Sequence, residues 1–237
     1  MTLRIRHGLL AALIFVGLVP LLALTRMTYE RTLVRELSEV EDRHLLLAQK
    51  LSSALSRYEK DIRVTVKTVS SALQHDHTPE NADELLGNLG IRNVAIIDGQ
   101  SGNVLHSVSD SKFEGALLEF LQAHATSSRF RFSPVWRQPE AENCIFLVAR
   151  MGQNIAVAEI GTGYFQQLGS EISFGAKGHA AIVDQEGNVL SHPLESWVQS
   201  AQNLSAVSAV ARMINGETGV ERFYSPALDG DMIAGLT

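Results

Sequence analysis

Two segments of the chain carry the same short pattern, roughly 85 residues apart. Residues 94–107 read VAIIDGQSGNVLHS and residues 180–192 read AAIVDQEGNVLSH. Each is an apolar run that ends in an aspartate, Asp98 or Asp184, followed by a turn and Gly-Asn-Val-Leu. A chain that repeats one strand–turn–strand pattern builds the same small module twice. The repeat therefore predicts two similar modules.

An apolar run near the N-terminus predicts a membrane segment. Residues 8–25 contain no charged side chain, and their length is close to the minimum for a spanning helix. Arg4 and Arg6 precede the run, which places residues 1–7 in the cytoplasm by the positive-inside rule. The alternative is a cleavable signal peptide, but Ala-Leu-Thr at 23–25 is a poor cleavage site. We expect an uncleaved anchor, and both interpretations export the rest of the chain.

Residues 26–75 predict one long helix, because they contain neither Gly nor Pro. Apolar residues, interrupted by His44, recur at alternating four- and three-residue steps, which is a heptad pattern: Leu33, Leu37, Val40, His44, Leu47, Leu51, Ala54 and Tyr58. A fifty-residue helix is a rod of about 75 Å. We expect its membrane-near part to form a homodimer and its later part to pack on the modules.

The rest of the chain predicts an α+β fold with two antiparallel modules, because short turns separate the strands. For the first module, residues 76–172, the predicted strands are 93–98, 103–108, 129–133, 144–151 and 154–160, with a helix that starts at the capping box Ser111–Glu114. For the second, residues 173–237, they are 179–184, 188–192, 219–224 and 231–237, with a helix near 205–215. A fifth strand is missing from the second module. We therefore expect that module to be incomplete and the chain to be part of a longer protein.

Composition and motifs exclude several function classes. The formal net charge of −6, without a basic stripe, argues against a nucleic-acid partner. The single cysteine, Cys144, lies in the apolar run CIFLVARM and is predicted to be a buried structural residue. The sequence has no phosphate loop, H-E-x-x-H, G-x-S-x-G or Cys/His cluster. We predict no catalytic residue, no metal site and no cofactor in this chain.

The second module resembles a known sensor family. FGAKGHAAIVDQEGNVLSHP, followed by GETGVERFYSPALDGDMIAGLT, is similar to the membrane-proximal half of double Cache (dCache, PAS-like) domains of bacterial transmembrane signalling proteins. The resemblance covers about residues 30–237. It implies the periplasmic, ligand-sensing region of a homodimeric receptor in the bacterial inner membrane. The output domain after Thr237 would be that of a sensor histidine kinase or diguanylate cyclase, or of a chemoreceptor.

The resemblance also implies that the first, membrane-distal module holds a small-molecule ligand. Arg131, Ser133, Trp136 and Arg137 lie on and just after its predicted third strand. Guanidinium groups and an indole suit a ligand that carries a carboxylate. The chain lacks the spacing of Tyr, Arg, Trp and Asp that amino-acid-binding members of the family use here. The alternative is that the arginines form a solvated strand face.

His192 and Trp197 are a second pair of candidate ligand contacts, in a cleft of the second module. In the structural alternative, Trp197 fixes the predicted loop 193–203 to the sheet. A different function also stays open at this point. It is a membrane-tethered protein-interaction module without a small-molecule ligand, which would expose a large apolar patch.

Overall fold

The chain has an α+β fold, so the predicted fold class is confirmed. The computed structural model describes residues 2–77, 79–110, 112–138, 141–174 and 178–237. A very long N-terminal helix is followed by short helices and antiparallel strands.

Helix α1 runs without interruption from Thr2 to Leu73. The predicted membrane segment and the predicted rod are therefore one helix. Within the described residues, it is the one helix long and apolar enough to cross a membrane. Pro20 lies in its apolar part, where a proline is tolerated. The helix ends two residues before the predicted boundary, and Asp76 adopts a left-handed backbone with φ of 54°.

The first module is a five-stranded antiparallel sheet in the order β2-β1-β5-β4-β3. Its strands are β1 Ile91–Asp98, β2 Val104–Ser107, β3 Arg131–Phe132, β4 Cys144–Met151 and β5 Asn154–Gly161. The helices are α2 Ala82–Asn88 and α3 Ala116–His124. The strand β5 is central and pairs with β1 on one side and β4 on the other.

Two predicted boundaries in this module are corrected. The third strand is shorter than 129–133, because Ser127 and Arg129 form a turn in which the Ser127 hydroxyl donates to the Arg129 carbonyl. The helix α3 begins at Ala116 after Gly115, whose φ is 58°, and not at the predicted capping box. Ser111, the first residue of that box, lies outside the described residues.

Both faces of the first sheet are buried, because consecutive strand residues point to opposite sides. One face packs on α1, where Ile62 and Val66 contact the cluster that includes Val94 and Ile160. The other face packs on α3 through residues such as Ile155, in a cluster that includes Leu121 and Cys144. Cys144 is buried as predicted, and burial raises the pKa of its thiol to about 12.

The second module consists of separate strand pairs. Helix α4 Gly163–Ser170 leads into β6 Ser173–Phe174, which pairs with β7 Gly178–His179. The strand β8 Ile182–Val183 pairs with β9 Val189–Ser191. After α5 Glu195–Gln199 and α6 Ser208–Ile214, the strands β10 Gly219–Ser225 and β11 Gly230–Leu236 form a hairpin.

Two predictions for this module are wrong in detail. The predicted strand 179–184 is split into β7 and β8, because β7 pairs back onto β6 while β8 pairs onto β9. The predicted loop 193–203 contains the helix α5, in which Trp197 lies. Its amide donates to the Leu194 carbonyl at 2.9 Å, which closes a helical turn.

Helix α1 also packs against the hairpin of the second module. Gly235 of β11 lies so close to α1 that an added Cβ would be 2.2 Å from the His44 carbonyl oxygen. Arg222 of β10 donates to Glu41 of α1 at 2.6 Å. The same helix thus supports both modules.

We expect Gly235→Ala to destabilise the chain by about 1–3 kcal/mol, because the methyl group must force β11 away from the α1 backbone. The measurement is thermal unfolding of the detergent-solubilised chain by circular dichroism. Gly87→Ala is the matched control, since its added Cβ meets nothing within 4 Å and Ala favours a helix. Equal melting temperatures for Gly235→Ala and the unsubstituted chain would contradict the close packing.

Candidate functional site

The two aspartates of the repeat organise turns, and one of them also joins the modules. Asp98 Oδ1 accepts the amide and the hydroxyl of Ser101 at 2.7 and 2.8 Å and the amide of Gln100 at 3.1 Å, and these bonds lower the pKa of Asp98. Asp184 Oδ1 accepts two turn amides in the same way. Its Oδ2 accepts the amide of Val135 in the first module at 2.9 Å. Both aspartates are structural.

Ser133, a predicted ligand contact, is buried and uses its hydroxyl within the protein. The hydroxyl donates to the Pro134 carbonyl at 2.7 Å and accepts the Phe146 amide at 2.9 Å. These bonds hold the chain after β3 against β4. The Ser133 side chain therefore holds the backbone of residues 133 and 134 in place beside β4.

Trp136 is half-buried and forms part of an aromatic cluster over the first sheet. Its ring centroid lies 4.9 Å from that of Phe120, and Phe120 lies 6.3 Å from Phe146. The backbone of Trp136 bridges to Cys144 at the end of β4. The Trp136 side chain is thus packed in part against Phe120 and in part accessible.

Arg131 and Arg137 are exposed at the rim of the first module. Arg131 lies opposite Val148 in the β3–β4 pair. Within the described residues neither side chain has a carboxylate partner, whereas Arg92 contacts both Glu142 and Glu159. Both guanidinium groups are therefore accessible to an anion.

The structure brings the rings of His192 and Trp197, a candidate pair of ligand contacts, into contact. The two rings stack with centroids 4.7 Å apart, and His179 meets His192 edge-on at 4.9 Å. His192 Nδ1 accepts the Leu194 amide at 3.0 Å, so the neutral ring carries its proton on Nε2. Burial, and to a lesser extent His179, lowers the pKa of His192 to about 4.

These rings line a cleft of about 290 Å³ in the second module. Its walls are formed by α1, the segment 178–183, the segment 232–237 and the region of α5 and α6. A second cavity of about 290 Å³ lies between the modules. Ser133 lines it from the first module, Asp184 from the second and Glu59 from α1.

Asn143, which the sequence analysis did not identify, joins the two modules by hydrogen bonds. Asn143 is buried, and its Nδ2 donates to the carbonyls of Val198 and Gln199 at 2.7 and 3.1 Å. Its Oδ1 accepts the Gln138 amide at 3.0 Å. The partners in the second module are more than 50 residues away in sequence, so no local pattern signals this role.

No family model and no curated protein matches the chain. Solved structures with a similar fold do match it. The extracellular domain of rpHK1S-Z16, a protein described as a histidine kinase, aligns with 15% identity and a TM-score of 0.66. This match covers 83% of this chain and 88% of that one. The chain has the fold of an extracellular sensory domain.

Chemoreceptor sensory domains share this fold. The ligand-binding domain of PctB from Pseudomonas aeruginosa PAO1, in complex with L-Gln, aligns with 19% identity and a TM-score of 0.56 over 81% of this chain and 82% of that one. The sensory domain of Tlp3 from Campylobacter jejuni, with isoleucine bound, has 11% identity and a TM-score of 0.52, with 81% and 86% covered. The predicted resemblance to sensor domains is confirmed at the level of the fold.

The lowered pKa of His192 predicts a pH-dependent stability. In the unfolded chain His192 binds a proton below pH 6.5, whereas in the folded protein its ring is protonated only near pH 4. The unfolded state therefore binds more protons between these values, and the free energy of unfolding falls as the pH drops from 6.5 to 4. In His192→Asn, whose amide oxygen can accept the Leu194 amide, this part of the decrease should be absent. Urea unfolding between pH 7 and 4 measures it, and the exposed His77→Asn is the control. The same pH slope in His192→Asn and the unsubstituted chain would contradict the assignment.

Proposed function

We propose that this chain is the extracytoplasmic sensing region of a bacterial transmembrane receptor, anchored in the inner membrane and homodimeric. A sensor histidine kinase or a diguanylate cyclase is the proposed class of receptor. The observation that carries the proposal is the continuity of α1, which passes from the apolar segment into the cores of both modules. A helix packed in this way connects a conformational change in either module to the membrane.

Signalling through α1 requires a ligand that binds two states of the protein with different affinity. In the first module, one face of the sheet packs on the part of α1 between Tyr58 and Leu73. In the second, β11 contacts the helix near His44. A ligand that shifts either sheet must therefore move, rotate or bend the helix.

The surface of α1 below the second module supports a homodimer. Val34 and Val40 are 67% and 40% exposed, and Val40 belongs to the predicted heptad seam. Apolar side chains on a helix outside the bilayer favour a partner helix. The proposed partner is α1 of a second copy.

The proposed ligand is a small molecule with a carboxylate, bound at the rim of the first module. The similar structures of PctB and Tlp3 hold L-Gln, L-Arg, isoleucine and L-norvaline, all of which carry a carboxylate. In this chain Arg131 and Arg137 provide accessible guanidinium groups, Trp136 provides an indole, and Ser133 fixes the backbone between them. The second candidate pair is His192 with Trp197. The comparisons give no support to the alternative of a protein-interaction module without a small-molecule ligand.

The test is a thermal-shift screen of the detergent-solubilised chain with L-glutamine, L-isoleucine, L-arginine, succinate and acetate, followed by calorimetry. Arg131→Ala should weaken binding of the carboxylate found by about tenfold to a hundredfold, because a hydrogen bond to a charged group is lost. Its stability should change by less than about 1 kcal/mol, since the side chain is exposed. Trp136→Phe, which keeps an aromatic ring against Phe120, should also weaken binding.

The matched control is Arg57→Ala, an exposed arginine on α1, which should leave the affinity unchanged. The proposed rim site would be contradicted if Arg131→Ala and Trp136→Phe left the affinity unchanged while Trp197→Ala abolished binding. That result would place the ligand in the cleft of the second module. No shift with any of these compounds would contradict the proposed ligand class.

A further inference from the structure

One buried side-chain amide, that of Asn143, lies between the two candidate ligand sites. Asn143 is 5% exposed and directly precedes β4. Its Oδ1 accepts the Gln138 amide of the first module at 3.0 Å. Its Nδ2 donates to the carbonyls of Val198 and Gln199 in the second module at 2.7 and 3.1 Å. A backbone N–H can only donate and a carbonyl can only accept, so these partners determine which end of the amide faces each module.

On the side of the first module, the amide holds the backbone that carries the rim residues. Gln138 directly follows Arg137 in the chain. The backbone amide of Trp136 donates to the Cys144 carbonyl at 2.8 Å, and the Cys144 amide donates back at 3.2 Å. The backbone of residues 136–138 is therefore tied to the start of β4 at one end and to the Asn143 oxygen at the other.

On the side of the second module, the amide binds the end of a short helix. Helix α5 has five residues, Glu195–Gln199, and the last carbonyls of a helix lack partners within it. Asn143 donates to two of these carbonyls. One of the two belongs to Val198, which directly follows Trp197. Trp197 stacks on His192 in the cleft, so a displacement of α5 changes this stack.

The other hydrogen bonds between the modules end at a different place. Val135 donates its amide to Asp184, and Gln185 donates to the Phe132 carbonyl at 3.2 Å. Asp184 and Gln185 line the cavity between the modules. Within the part of the chain that the structure describes, the side-chain link from the first module to α5 is that of Asn143.

We propose that Asn143 is a positioning residue that couples the rim of the first module to the cleft of the second. An amide group is rigid and planar, so a movement of the Gln138 backbone turns it and strains the bonds to α5. Losing those bonds would leave buried polar groups unsatisfied, which is unfavourable, so α5 follows the movement. Such coupling is reciprocal: binding at the rim changes the affinity of the cleft by the same factor as the reverse. The proposal rests on the proposed function where it treats these two places as ligand sites.

The test uses the two tryptophans of the chain, Trp136 at the rim and Trp197 in the cleft. Both are replaced by fluorotryptophan in the detergent-solubilised chain, and fluorine NMR at pH 8 assigns their resonances with Trp136→Phe and Trp197→Phe. His192→Asn removes the ring that stacks on Trp197, and the distant Trp136 resonance should shift by more than its linewidth. Gln138→Pro removes the amide that Asn143 accepts, and the distant Trp197 resonance should shift likewise.

Two variants of Asn143 test whether these distant shifts pass through its amide. Asn143→Ala removes both ends of the amide, and each distant shift should fall below a linewidth. In Asn143→Asp the carboxylate still accepts the Gln138 amide but cannot donate to α5. The Trp136 resonance should therefore stay near its original position, while both distant shifts are lost. The exposed His77→Asn is the control, which should move neither resonance.

Distant shifts that persist in both Asn143 variants would overturn the proposal, and so would their absence in the chain that retains Asn143. A structural role without coupling would give the second of these results, because each anchor would then hold its own module alone. No ligand enters the experiment. Its failure would leave the proposed sensing function standing, and a failed ligand screen would leave this coupling standing.

Discussion

The burial of one face of α1 against the first sheet is the interaction on which the rest of the structure depends. Ile62 and Val66 are fully buried there, together with Val94 and Ile160 of the sheet. Apolar burial is the largest favourable contribution to folding, and this contact fixes the position of the helix relative to the first module. The same helix also fixes the position of the second module, because Gly235 of β11 packs against the backbone of His44.

Polar contacts determine how the two modules sit on this helix. Asp184 accepts the Val135 amide, and Asn143 donates to the carbonyls of Val198 and Gln199. Breaking a buried bond of this kind leaves an unsatisfied polar group, which costs about 1–3 kcal/mol. These hydrogen bonds therefore fix the position of the two modules relative to each other, in addition to the contacts that each makes with α1. This arrangement suits the proposed sensor, because a ligand bound in either module would act on one shared helix.

Local patterns in the sequence predicted much of the fold. The apolar runs around Asp98 and Asp184, the absence of Gly and Pro in 26–75, and the alternation along the strands are all local signals. The role of Asn143 was not predictable, because its partner Val198 lies far away in the chain. The role of Ser133 depends on how β3 and β4 pair, which brings the Phe146 amide to its hydroxyl. The proximity of His192 and Trp197 was partly predictable, since Trp197 follows His192 by five positions in the sequence. Arg131 and Arg137 stay predictions as ligand contacts.

The central claim is that α1 continues as one helix from the region after its apolar segment into the first module, and a distance between two spin labels tests it most directly. Arg35→Cys and Lys67→Cys place the labels at exposed positions, while the native Cys144 is buried. Thirty-two residues of α-helix span about 48 Å. The account predicts a narrow distance distribution centred near that value in the detergent-solubilised chain. A broad distribution, or one centred well below it, would show a break in the helix and contradict the account.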